Sequence, residues 1–135
     1  MLPGYSTIVY VVSPDAAVRR SLILLLEAEG IETRSFASAA SLLEELPALG
    51  TKLAARRCVL LDERLPGGGG GLDLAERLIQ ADLDLSTIIL QAAVGPVRDR
   101  QLRKVPATVV FADPFHMDAL LQKVRCALGL PKPHD

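Results

Sequence analysis

The chain has 135 residues, a formal net charge of -1, 50% hydrophobic residues and 23% charged residues. That is the length of one domain, with a composition that excludes a disordered or collagen-like chain and a charge balance, free of any basic block, that gives no support to direct nucleic-acid binding. No apolar run approaches the roughly 20 residues of a membrane span, and the amino-terminal MLPGYSTIVYVV lacks the basic stretch and cleavage site of a signal peptide. Cys58 and Cys126 lie in apolar surroundings, which suits reduced thiols in a cytoplasmic protein.

In chain order, residues 8–12 (IVYVV) form a continuous β-branched run, the signature of a strand buried on both faces. Residues 16–29 place Val18, Leu22, Leu25 and Leu26 on one helical stripe, and Gly30 stands where a helix ends. Ser13 and Pro14 suit the N-cap and first position of that helix. Residues 31–36 alternate as a strand near a sheet edge. Ser38 then caps a helix through Leu46 that Pro47 stops. A linker over 48–57 leads to a third strand, Cys58 to Leu61, ending at Asp62.

The loop 63–71 holds five consecutive glycines, Gly67 to Gly71, whose ordering costs backbone entropy. No Lys-Ser/Thr follows them, so they do not form a phosphate loop. A helix is predicted over 72–80 with Leu74, Leu78 and Ile79 inward, then a strand over 87–90, a polar helix over 97–104, a strand over 108–111, and a last helix over 118–128 closed by Gly129. Strands alternating with helices predict an α/β fold, a doubly wound five-stranded parallel sheet with helices on both faces. Residues 1–130 make one domain and 131–135 a short tail. Function in such sheets gathers at the carboxyl ends of the strands, which carry Ser13, Pro14, Asp15, Asp62, Gln91 and Asp113.

Residues 11–22 (VVSPDAAVRRSL), 58–62 (CVLLD) with Leu65-Pro66-Gly67, and 112–115 (ADPF) resemble, in order and spacing, the receiver domains of bacterial two-component response regulators, most like the FixJ-type branch. The resemblance covers residues 8 to 129. It implies that a carboxylate accepts a phosphoryl group from a phosphohistidine partner, with a magnesium-type dication held by that acceptor and by acids after the first strand. Asp62 stands at the acceptor position. The acid pair falls at Ser13 and Pro14, neither a carboxylate, leaving Asp15 as a partial substitute and only a weak metal site of Asp15 and Asp62. Gln91 holds the hydroxyl position, Asp113 the lysine position and Val110 the aromatic switch position, and the resemblance implies a cis peptide before Pro114.

Two carboxylates about 4 Å apart repel by about 4 kcal/mol at an effective dielectric near 20. A second acid at Asp113 therefore opposes adding a phosphoryl group to Asp62, and predicts either a cation between the acids or a shared proton that raises an apparent pKa. The expected function is an atypical receiver without magnesium-dependent aspartyl phosphorylation, not an enzyme: no nucleophile–histidine pairing marks a strand end. It would bind a protein partner, namely a histidine kinase, another regulator or a second copy, with Arg98, Arg100, Arg103 and Lys104 as a candidate face. Asp62 alternatively serves only as a relic bonded to nearby amides. Two other readings stand beside this one: a working phosphoacceptor at Asp62 with magnesium held by Asp15 and Glu63, and a small-ligand sensor using Ser13, Gln91 and the glycine loop. His116 and His134 are separated from other ligand types and predict no metal site. No output domain follows in the 135 residues, so output comes from the receiver surface itself unless the chain is a fragment.

Overall fold

The apolar runs assemble into a parallel sheet whose strands are separated by amphipathic helices. The structure, a computed structural model, describes residues 6–49, 55–66, 70–81, 85–91, 109–113 and 116–131. Its elements are β1 (Ser6–Val12), α1 (Ala16–Ala28), β2 (Glu32–Phe36), α2 (Ala39–Leu49), β3 (Ala55–Asp62), α3 (Gly70–Gln80), β4 (Ser86–Leu90), β5 (Val109–Ala112) and α4 (Met117–Leu128). The helix expected over 97–104, with Arg98, Arg100, Arg103 and Lys104, lies outside the described residues, as do Pro114, His134 and Gly67 to Gly69.

The strands are all parallel, in the order β2-β1-β3-β4-β5. The order reverses between β1 and β3, which opens a crevice at their carboxyl ends. The register pairs Val12 with Leu61 and Asp62 with Leu90, so the residues just after β1 face the last residue of β3. β2 is an edge strand, as expected, and Thr33, Arg34 and Ser35 leave it polar and blunt against pairing.

Strand alternation divides the core in two. Ile8, Tyr10, Val12, Val59, Leu61 and Ile89 face α2 and α3, where they meet Leu42, Leu46, Leu74 and Leu78. Val9, Val11, Cys58, Leu60, Ile88 and Leu90 face α1 and α4, where they meet Leu22, Leu26, Leu120, Val124 and Leu128. Each fully buried aliphatic side chain contributes about 1.5–3 kcal/mol, so both faces are needed to hold the central strands. Burial also pushes the Cys58 thiol up to about 12, keeping it protonated and inert.

Helix ends follow local chemistry. α1 closes with Gly30 at φ 76, the Gly30 amide donating to Glu27 O and the Ile31 amide to Leu26 O, a left-handed cap that only glycine adopts without cost. Gly129 closes α4 in the same way at φ 71. Ser38 caps α2, its hydroxyl accepting from the Ser41 amide at 3.2 Å.

Several boundaries differ from the sequence reading. α2 runs through Pro47 to Leu49 rather than stopping at Leu46. Proline removes one amide donor, and so near the helix end that loss leaves only the last turn short of a bond, while buried Leu42 and Leu46 hold the helix on the sheet. β3 begins at Ala55, inside the expected linker, because Ser6 and Thr7 extend β1 and pair with Ala55 and Arg56. α3 begins at Gly70, so two of the five glycines are helical rather than loop.

Candidate functional site at the carboxyl end of β1 and β3

Asp62 ends the central strand and is buried, 3% exposed. Its amide neighbour Glu63 donates to Leu90 O at 3.2 Å and Leu65 donates to Asp62 O at 3.2 Å, which fixes the first turn of the loop. Within that turn the Asp62 carboxylate accepts from the Arg64 amide, N to Oδ1 2.9 Å. This Asx-type turn brings the Arg64 side chain back over the carboxylate. The guanidinium grips both oxygens, Nε to Oδ1 at 3.0 Å and Nη2 to Oδ2 at 2.7 Å, the bidentate geometry that suits arginine.

From the other strand, the fully buried Ser13 donates its hydroxyl to Asp62 Oδ2 at 2.7 Å. Ser13 is held in turn: its amide donates to Phe36 O at 3.0 Å, its carbonyl accepts from Arg19 Nη1 at 2.7 Å, and its hydroxyl accepts from the Asp15 amide at 3.1 Å. An ionised carboxylate offers about four acceptor positions. The Arg64 amide, Arg64 Nε, Arg64 Nη2 and the Ser13 hydroxyl occupy four.

The N-cap of α1 is Asp15, not Ser13: Asp15 Oδ1 accepts from the Ala17 amide at 2.8 Å and the Val18 amide at 3.4 Å. Pro14 accordingly lies before the cap rather than at the first helical position, and is exposed. Among the described residues the Ser13 hydroxyl accepts only the Asp15 amide, while the first free amides of α1 go to the Asp15 carboxylate. Asp15 Oδ2 stands 3.8 Å from Arg64 Nη2, so one guanidinium lies against two carboxylates.

Burial pushes the Asp62 carboxyl up, but the Arg64 guanidinium and amide and the Ser13 hydroxyl outweigh it and hold the group below its ordinary value of 3.8. The Arg64 guanidinium is raised by its bonds to, and the charge of, Asp62. Of the two expectations, a cation or a shared proton, the surroundings of Asp62 correspond to the first, with the cation coming from Arg64 and bridging towards Asp15 rather than Asp113.

Gln91 is buried at the end of β4, its amide donating to Ala112 O at 2.8 Å. Asp113 follows β5 and is half-buried, its Oδ2 2.9 Å from His116 Nδ1. His116 thus has a carboxylate partner, contrary to its reading as separated from other ligand types. It is the N-cap residue of α4, with no side-chain capping bond, so the helix starts close to Asp118 as the sequence suggested. Val110 lies in β5, paired with Ile88. Glycine lets the start of α3 approach the backbone at the end of β3: a Cβ on Gly71 would fall 2.6 Å from Asp62 O, and one on Gly70, at φ 60, would fall 2.5 Å from Glu63 O.

These residues do not fit a hard dication. Such an ion takes six or more oxygen ligands, whereas Asp62 is filled by internal donors, Asp15 Oδ1 caps α1, Ser13 supplies a hydroxyl already committed to Asp62, and Pro14 supplies no side-chain donor. No group of three or more His, Cys, Asp or Glu side chains converges as a metal site among the described residues.

Arg64 and Arg19 were missed in the sequence. The readable signal for Arg64 was a cation two residues after a strand-ending aspartate, the spacing an Asx turn folds back.

A 2-1-3-4-5 parallel sheet with helices on both faces and an aspartate ending its central strand is the arrangement of a receiver domain. No family model matches the chain. In sequence it is similar to the transcriptional regulatory protein FixJ of Azorhizobium caulinodans, 31% identical over 121 residues, which cover 90% of this chain and 54% of the relative. The transcriptional regulatory protein TdiR of Thauera aromatica is 31% identical over 94% of this chain and 53% of its own length. Among solved structures, a response regulator receiver protein from Burkholderia phymatum matches with a TM-score of 0.74 at 27% identity, covering 96% of this chain and all of that one. The response regulator StyR matches at 0.68 and 28% identity, over 92% of this chain and 60% of that one. The chain is a FixJ-like receiver domain, and it spans about half the length of the curated relatives it matches. No described helix is long and apolar enough to cross a membrane.

Proposed function

We propose that this receiver domain serves two-component signalling as an atypical, non-enzymatic module that works by protein–protein interaction rather than by magnesium-dependent phosphorylation of Asp62. The observation that supports this most is the closure of Asp62, whose acceptor positions are taken by Ser13 and Arg64. A carboxylate must present a lone pair to attack phosphorus, and its charge must be offset by a cation that also neutralises the phosphoryl oxygens. Ser13 and Pro14 in place of an acid pair leave fewer oxygen ligands for such a cation. Asp113, engaged with His116, adds a carboxylate where the family resemblance implies a lysine.

The partner is a histidine kinase, another regulator or a second copy of the chain, and the basic residues Arg98, Arg100, Arg103 and Lys104 are its proposed contact face. Incubation with acetyl phosphate and magnesium, followed by intact-mass measurement, tests the chemistry. The expected result is no phosphoryl adduct. An adduct that disappears in Asp62→Asn would instead make Asp62 a working acceptor. Sedimentation across a concentration series decides whether the partner is a second copy.

A further inference from the structure

The absent acids and the Arg64 clamp are two separate obstacles to a dication at Asp62, and the geometry ranks them. We infer that Arg64 is the resident cation of this pocket and the residue that sets its cation selectivity; the inference deepens the proposed function and rests on that reading. The guanidinium touches both Asp62 oxygens and lies 3.8 Å from Asp15 Oδ2. An incoming ion would need the same oxygen atoms.

The clamp is also preorganised. The Arg64 amide is bonded to Asp62 Oδ1, so the side chain that carries the charge is anchored by its own backbone to the acid it neutralises. A planar, weakly hydrated guanidinium forms two parallel bonds to a carboxylate, whereas a small dication keeps a strong hydration shell and requires several further oxygens. Ser13→Asp would restore one acid yet leave the guanidinium in place. Removing Arg64 would leave Asp62 and Asp15 side by side without their shared counter-charge.

Arg64 is a positioning residue in this sense, and two variants separate its role from that of the absent acids. Manganese, a paramagnetic stand-in for magnesium, is titrated into the full chain, and the amide broadening of Ser13, Asp15 and residues 62–65 gives its affinity. Arg64→Met is expected to bind manganese more tightly than wild type by about tenfold, a discounted figure because the guanidinium is partly exposed, and Arg64→Lys, which keeps the charge but loses the fork, to fall between them. Ser13→Asp is expected to gain less than Arg64→Met.

Equal affinities in wild type, Arg64→Met and Arg64→Lys would overturn the inference, as would a larger gain from Ser13→Asp. Should Arg64→Met not fold, Arg64→Lys against wild type decides alone: tighter binding supports the clamp and unchanged binding overturns it. The ratio between variants tests Arg64, whereas tight binding by wild type itself would count against the proposed function and leave the ratio standing.

Discussion

Asp62 is a buried acid whose charge is offset by the Arg64 guanidinium and the Ser13 hydroxyl. Its folded-state pKa is lowered, so its contribution to stability is complete above the unfolded value near 3.9 and is lost as pH falls through the lower, folded value. The difference in urea midpoint between wild type and Asp62→Asn is therefore expected to be constant from pH 7 to about pH 5 and to shrink below about pH 4. A difference that grows on acidification would mean the carboxyl is raised rather than lowered.

A second buried charge, Arg57, differs in its surroundings among the described residues. Arg57 is 8% exposed in β3, and its Nε and Nη1 find no hydrogen-bond partner among the described residues. An unmade hydrogen bond on a buried donor costs about 1–3 kcal/mol, and Met retains most of the side-chain length in an apolar form. Arg57→Met is expected to raise stability by about 1 kcal/mol in urea unfolding. A loss of that size or more would show that the guanidinium is satisfied in solution.

At the scale of elements, the glycines at the start of α3 test how closely the helix approaches the site. In an ordinary exposed helix Gly→Ala stabilises by about 1 kcal/mol. At Gly71 the added methyl would lie 2.6 Å from Asp62 O and 3.1 Å from Glu63 Cα, both backbone atoms. Overpacking of this kind costs about 1–3 kcal/mol, so it outweighs propensity. Gly71→Ala is expected to destabilise and to shift the Asp62 and Glu63 amide resonances, and a stabilised variant would rule the close approach out.

The elements also show what the sequence makes legible. β1, β3 and β4 were readable because a strand buried on both faces is a continuous apolar run, as in 8–12 and 58–61. Gly30 and Gly129 were readable because a left-handed cap has a residue requirement of its own. Pro47 was misleading because a proline near a helix end removes little, and tertiary contacts of Leu42 and Leu46 decide the boundary. Ser13 was misplaced as a cap because Asp15, two residues on, offers the carboxylate that takes the Ala17 and Val18 amides, and only the β1–β3 register shows that Ser13 lies against Asp62. Arg64 was missed for a similar reason: its contact depends on a turn and a rotamer at the end of a buried strand, neither of which periodicity reports.

For the whole molecule, the sheet supplies rigidity and the crevice at its switch point supplies the site. The two apolar layers fix β1 and β3 side by side, which sets Ser13 against Asp62 within hydrogen-bond distance and leaves the following loop to deliver Arg64. A receiver that switches by phosphorylation needs an acid that is open to a dication and a phosphoryl donor. Here the same scaffold holds that acid against Arg64 and Ser13, the arrangement on which the proposed signalling through the domain surface rests.

Amide NMR during addition of millimolar magnesium and then beryllium fluoride, a phosphoryl mimic, tests this most directly, with Asp62→Asn as the control. The expected result is unmoved resonances at Asp15, Asp62, Arg64 and Asp113 in both proteins. Saturable shifts at those residues in wild type, absent from Asp62→Asn, would contradict the closed pocket and restore a phosphorylation switch.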